Sequence, residues 1–129
     1  MQVNNYLSLY QFNKSMLIAP TRYILATTEV RDAATNGCGT AGWKGKLVPD
    51  TLYFLSILEA CRIHDWMYAE GETEIDKKRA DDIFLSNMEE LISNAFWFLR
   101  FLRRRRALKY FLAVAIAGDA AFWADKEKP

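Results

Sequence analysis

Only two cysteines are present, Cys38 and Cys61, so the chain can form one disulfide at most, and so sparse a pair more often means two buried thiols. A fold held by many bridges is excluded. There is one histidine, His64, so any imidazole chemistry runs through that ring. Long apolar runs are also missing: the longest, Tyr110 to Gly118, stops at Asp119, well short of the roughly 20 residues a spanning helix needs. No transmembrane segment is expected. Met1 to Gln11 lacks a basic stretch followed by an apolar one, so no secretion signal is recognisable. Synthesis in the cytoplasm is expected, which suits a viral-particle component, a protein secreted by another route or a cytoplasmic protein. No Gly-x-Ser-x-Gly elbow, internal repeat or low-complexity linker occurs.

A large excess of charge of one sign is absent as well. The net charge is +1, so bulk electrostatics imply neither a nucleic-acid nor a membrane partner. The charges are nevertheless unevenly placed. From Glu59 to Glu90 ten acids face four bases, whereas Arg100, Arg103, Arg104, Arg105, Arg106 and Lys109 form a block without an acid. Such a split can set a cation-attracting region beside a surface that meets anions. With 129 residues, 51% apolar and 26% charged, the chain fits one folded domain with one active site.

Along the chain, a mainly α architecture is expected. Residues 1–35 form an N-terminal segment in which Tyr6, Leu7, Leu9 and Tyr10 could open a helix and Arg22 to Val30 resembles a short strand. Residues 36–48 hold four of the six glycines and suggest an irregular loop. Pro49 and Asp50 suggest a helix start, followed by Leu52, Leu55, Leu58 and Cys61 at helical spacing, with Gly71 as the stop. Thr73 and Asp76 have capping-box spacing, and Ala80, Ile83, Phe84, Asn87, Met88 and Leu91 continue a second helical face. So short a turn makes the two long helices of 50–92 antiparallel neighbours, which allows His64 to meet Asp81. Residues 95–124 are expected to be helical, broken near the arginine block and again near Gly118, and 126–129 to fray.

On a helix, Asp65 lies on the flank beside His64 and Tyr68 one turn along the same face, so a base, a hard-metal carboxylate and a phenol share one rim. The segment Cys61-Arg62-Ile63-His64-Asp65-Trp66-Met67-Tyr68 resembles the Cys-x-x-His-Asp-x-x-Tyr helix of the phospholipase A2 superfamily. Cys38-Gly39-Thr40-Ala41-Gly42 resembles its Cys-Gly-x-Gly calcium loop, with Ala41 in place of a glycine. Ala80-Asp81-Asp82-Ile83-Phe84-Leu85 resembles the Ala-Asp segment of its parvovirus-type and phage or bacterial branches. The resemblance spans roughly residues 36–90.

That resemblance implies a calcium-dependent esterase that hydrolyses the sn-2 ester of glycerophospholipids. His64 would take a proton from the attacking water, and Asp81 would orient it, with Asp76 and Asp82 as alternatives. Tyr68 would bond the orienting carboxylate. Asp65 would hold Ca2+ together with the carbonyls of Gly37, Gly39 and Ala41, and the Gly39 N–H would serve the oxyanion. A Cys38–Cys61 disulfide is implied at the same level. The Cβ of Ala41 would weaken calcium binding if that position needs φ > 0.

Phe96, Trp97, Phe98, Phe101 and Leu102 lie beside Arg103, Arg104, Arg105 and Arg106, a composition suited to a phospholipid membrane interface. The alternative is a core helix ending in a solvated basic turn. No nucleic acid is expected, since no binding fold accompanies the arginines. Other readings of the whole are a catalytically silent module that binds lipid, calcium or a partner, and a viral or phage accessory structural protein. A zinc or thiol-protease site built on His64 with Cys38 or Cys61 would lack a fourth protein ligand. Headgroup and acyl preference and oligomeric state stay open.

Overall fold

The computed structural model describes residues 7–39, 49–124 and 126, with the side chains of 36–39 outside that description. Its first element is a hairpin of β1 (Leu7–Phe12) and β2 (Ser15–Pro20), paired antiparallel with Phe12 opposite Ser15. Asn13 at the tip has φ 53°, a left-handed conformation that asparagine tolerates. The expected helix start at Leu7 to Tyr10 is therefore corrected. Leu7, Leu9 and Gln11 alternate outward with Ser8, Tyr10 and Phe12 inward, which is a period of two.

The strand expected over Arg22 to Val30 is likewise replaced, by α1 (Thr21–Leu25) and α2 (Thr28–Gly39). Thr27 Oγ1 accepts from the Val30 amide at 3.2 Å and so caps the start of α2, a local effect that outweighs the β-propensity of the Thr/Val pattern. Because α2 runs through Gly37 to Gly39, the expected loop does not begin at residue 36. Residues 40–48, with Ala41, lie outside the described residues.

The helix expected from Asp50 begins later. Thr51–Leu52 (β3) and Leu55–Ser56 (β4) pair as a second small hairpin, and α3 spans Leu58–Glu70. At the tip, Tyr53 and Phe54 have φ 45° and 73°, conformations unfavourable for aromatic residues. The last long helix, Arg100–Ala117, secures this strained turn: Arg103 donates to the carbonyls of Leu52 at 3.1 Å and Tyr53 at 2.7 Å, and Tyr110 Oη to that of Thr51 at 3.0 Å. Tertiary hydrogen bonds thus override a helical apolar spacing.

Helix α3 stops at Gly71, and α4 (Glu74–Ser93) opens with the expected capping box, Thr73 Oγ1 accepting from the Asp76 amide at 3.1 Å and Asp76 Oδ2 from the Thr73 amide at 3.2 Å. A 3-10 turn (Trp97–Leu99) leads into α5 (Arg100–Ala117), which passes unbroken through the arginine block. Arginine is a good helix former, so the expected interruption there does not occur. The interruption near Gly118 does, followed by the short α6 (Asp119–Phe122).

The molecule is mainly helical, and the faces of α3, α4 and α5 meet over one core that includes Ile63, Trp66, Phe84, Met88, Ala107 and Val114. The first hairpin covers α4 through Asn87, whose Oδ1 accepts from the Ile18 amide at 2.7 Å and whose Nδ2 donates to the Ile18 carbonyl at 2.9 Å. A side-chain amide thus does for one residue of β2 what a neighbouring strand would do.

Candidate active site

On α3, His64 and Tyr68 are one turn apart; on α4, Lys77 and Asp81 are one turn apart. The short connection folds the helices back, so these two pairs face each other. His64 Nε2 lies 2.7 Å from Asp81 Oδ1, and the Tyr68 hydroxyl donates to the same oxygen at 2.7 Å. Lys77 Nζ donates to Asp81 Oδ2 at 3.0 Å and to the carbonyls of Val114 and Ala115 on α5 at 3.3 and 3.4 Å. The His64 ring packs on Tyr68 and Phe84, with centroids 4.2 and 4.7 Å apart.

Burial pushes the Asp81 carboxyl upward, but its hydrogen bonds to His64, Tyr68 and Lys77 and the charge of the imidazole outweigh this and hold it below the usual range. Asp81 is therefore a carboxylate and can only accept, so the N–H in the His64–Asp81 bond is on Nε2. In its neutral form the ring then carries its lone pair on Nδ1. Tyr68 is pushed strongly upward, by burial first and then by the charge and hydrogen bond of Asp81, which keeps the phenol a neutral donor.

The three residues expected to carry proton chemistry, His64, Asp81 and Tyr68, are thus brought together. Of the alternative orienting carboxylates, Asp76 serves the helix cap and Asp82 pairs at the surface with Lys78 at 3.0 Å. Asp65 is buried on the adjoining flank of α3. Among the described residues no three His, Cys, Asp or Glu side chains gather as a metal-binding group. Gly37 and Gly39 belong to α2, where a backbone N–H donates to the carbonyl four residues back, so the loop role expected for the Gly39 amide is not supported. Cys61 is buried in the core, and its expected partner side chain, Cys38, lies outside the described residues.

Lys77 was not among the expected site residues. The sign of it in the sequence is a lysine on the same helical face as Ala80 and Phe84, one turn before Asp81: a charge at a core position needs a counter-charge. Gly118 was also missed. A Cβ there would lie 2.5 Å from the Tyr68 hydroxyl, so only glycine lets α5 pass so close to the site.

The basic block needs a correction. Arg103 is buried and spent on the carbonyls of Leu52, Tyr53 and Phe96, and Arg106 is half-buried, donating to the Tyr53 hydroxyl at 2.9 Å. Arg104 and Arg105 are exposed, as are Phe96, Trp97 and Phe101, so these aromatics do not form the core face of a helix.

Residues 48–100 match a protein family described only as "protein of unknown function (DUF1353)". That span holds His64, Asp65, Tyr68, Lys77 and Asp81. No phospholipase A2 family matches, so the expected membership of that superfamily is overturned. The physical basis of the misreading is that short motifs at helical spacing also arise from packing two antiparallel helices, and the Cys38-Gly39 half of the pattern begins inside α2. No curated protein matches the chain. No solved structure matches it either.

Proposed function

We propose that the chain is a hydrolase of lipid esters in which His64 activates water. The observation that carries this reading is the 2.7 Å bond from His64 Nε2 to an Asp81 carboxylate that Tyr68 and Lys77 hold in place. A base must present its lone pair in a set direction, and an oriented carboxylate on the opposite nitrogen does this. Water attacks the ester carbonyl carbon as its proton passes to Nδ1. The proton then goes to the departing alkoxide oxygen, which releases a carboxylic acid and an alcohol and restores the neutral ring. For a glycerophospholipid sn-2 ester, the substrate to test first, the products are a fatty acid and a lysophospholipid.

Calcium held through Asp65 would polarise the ester carbonyl. The described residues assemble no such site, so none of the steps above runs through it.

One observation favours a second reading, a catalytically silent fold. His64 is 1% exposed, and its partner carboxylate is charge-balanced by Lys77, which is the pattern of a polar network that fixes the packing of α3 on α4. Fatty-acid release from mixed phospholipid vesicles, with calcium and with chelator, separates the two. The hydrolase reading expects release by the wild type and a loss of about a hundredfold or more in His64→Gln. No release by folded wild type leaves the silent fold, and equal release by wild type and His64→Gln overturns His64 as the base. Loss of release with chelator alone assigns the metal.

A further inference from the structure

The outer surface around the start of α5 is unusual in being apolar and basic at once. Phe54, Phe96, Trp97, Phe98 and Phe101 are exposed by 95, 71, 67, 68 and 70%. They are not scattered. Arg103 donates to the carbonyls of both Tyr53 and Phe96, so one guanidinium ties the hairpin tip that carries Phe54 to the segment that carries the other aromatics. The aromatic platform is held from beneath, and the strained backbone of Tyr53 and Phe54 is the local cost of presenting Phe54 outward.

The face continues along α5. Leu108, Leu112 and Ile116 are exposed and follow Phe101 at intervals of seven, four and four residues, which places them on one helical stripe. Arg104, Arg105 and Lys109 are exposed on and beside that stripe. From Leu91 to Gly118 there is no Asp or Glu. An apolar stripe with basic flanks and an aromatic end is the pattern of a helix that lies in the plane of a membrane interface. No helix among the described residues is long and apolar enough to cross a membrane.

We infer that this face docks the protein on an anionic lipid surface. Charge complementarity selects that occupant. A second copy of the chain would bring the same acid-free basic segment against itself, whereas anionic headgroups neutralise it and the adjoining acyl region takes the aromatics. The inference deepens the proposed function by locating where a lipid substrate would be met. Yet it rests on residues none of which belongs to the His64 network, so the two can fail separately.

The test is co-sedimentation of the full chain with vesicles of phosphatidylcholine alone and of phosphatidylcholine with phosphatidylglycerol, at low and high salt. Preferential binding to the anionic vesicles, weakened by salt, is expected, with a blue shift in tryptophan emission that Trp97→Phe removes. Arg104→Gln with Arg105→Gln should weaken binding about thirtyfold. Phe96→Ser with Phe101→Ser should abolish it while the melting temperature stays unchanged, because these side chains are solvent-exposed in the free protein. His64→Gln should bind like the wild type even if hydrolysis is lost. Binding that is absent, equal on neutral vesicles or unaffected by both surface pairs overturns the inference. So does a stable dimer in solution that the Phe96→Ser, Phe101→Ser protein no longer forms.

Discussion

Replacing Asp81 by Asn keeps the shape of the side chain and removes the charge on which the network depends. Whichever way the new amide turns, a donor faces a donor: toward Oδ2 it meets the Lys77 ammonium, and toward Oδ1 it meets the Tyr68 hydroxyl and the His64 N–H. Lys77, almost wholly buried, would keep only the long bonds to Val114 and Ala115. Removing one partner of a buried ion pair costs about 3–5 kcal/mol, and the residual carbonyl contacts favour the lower end, about 3 kcal/mol. For a chain of this size that corresponds to a fall of roughly 12 °C in Tm. Adding Lys77→Met should recover most of the loss, since the uncompensated charge disappears, leaving the double variant within about 1–2 kcal/mol of the wild type. Urea unfolding of the wild type, both single variants and the double variant gives the cycle. An Asp81→Asn cost below about 1 kcal/mol, or strict additivity with Lys77→Met, would refute the charge-balanced network.

The low folded-state pKa of Asp81 sets a pH signature. Its contribution is complete above about pH 5 and is lost as pH falls below about 4 through the folded value, so the stability gap between wild type and Asp81→Asn should close in acid, measured by thermal melts across that range. Gly118→Ala should cost about 1–3 kcal/mol, because its Cβ would sit 2.4 Å from the Val114 carbonyl oxygen and 2.5 Å from the Tyr68 hydroxyl; an unchanged urea midpoint would show that α5 can move away. Asn87→Ala strands the Ile18 amide and carbonyl and should cost about 2–3 kcal/mol, with faster hydrogen exchange in the first hairpin as the specific readout. Arg103→Lys cannot fork between Leu52 and Tyr53, so it should destabilise by about 2 kcal/mol and loosen the Tyr53–Phe54 turn; NMR shifts at Phe54 equal to wild type would contradict this.

What the sequence disclosed follows the range of the interactions involved. The pairing of α3 with α4 was legible because a short turn, a capping box and two apolar faces are local signals, and they brought His64 to Asp81. Gly71 was legible as a stop but for another reason. Its φ is −66°, which any residue adopts, and glycine is needed because a Cβ would lie 2.6 Å from the Phe122 ring. The two hairpins were misread or missed. Their partners are distant in sequence: Asn87 for the first, and Arg103 with Tyr110 for the second. The arginine block could not be divided from sequence either, since four adjacent arginines on a helix point in four directions and only packing decides that Arg103 goes inward. Three short motifs suggested a family, and two facing helix turns account for the geometry without it.

Because His64 is the only histidine, an untagged sample labelled with 15N-histidine gives one imidazole spectrum. A long-range 1H–15N correlation at neutral pH distinguishes which ring nitrogen carries the proton. The Asp81-oriented base predicts the proton on Nε2, with Nδ1 showing the shift of a bare nitrogen and the order lost in Asp81→Asn. A proton on Nδ1, or a tautomer mixture like that of free histidine, would contradict it.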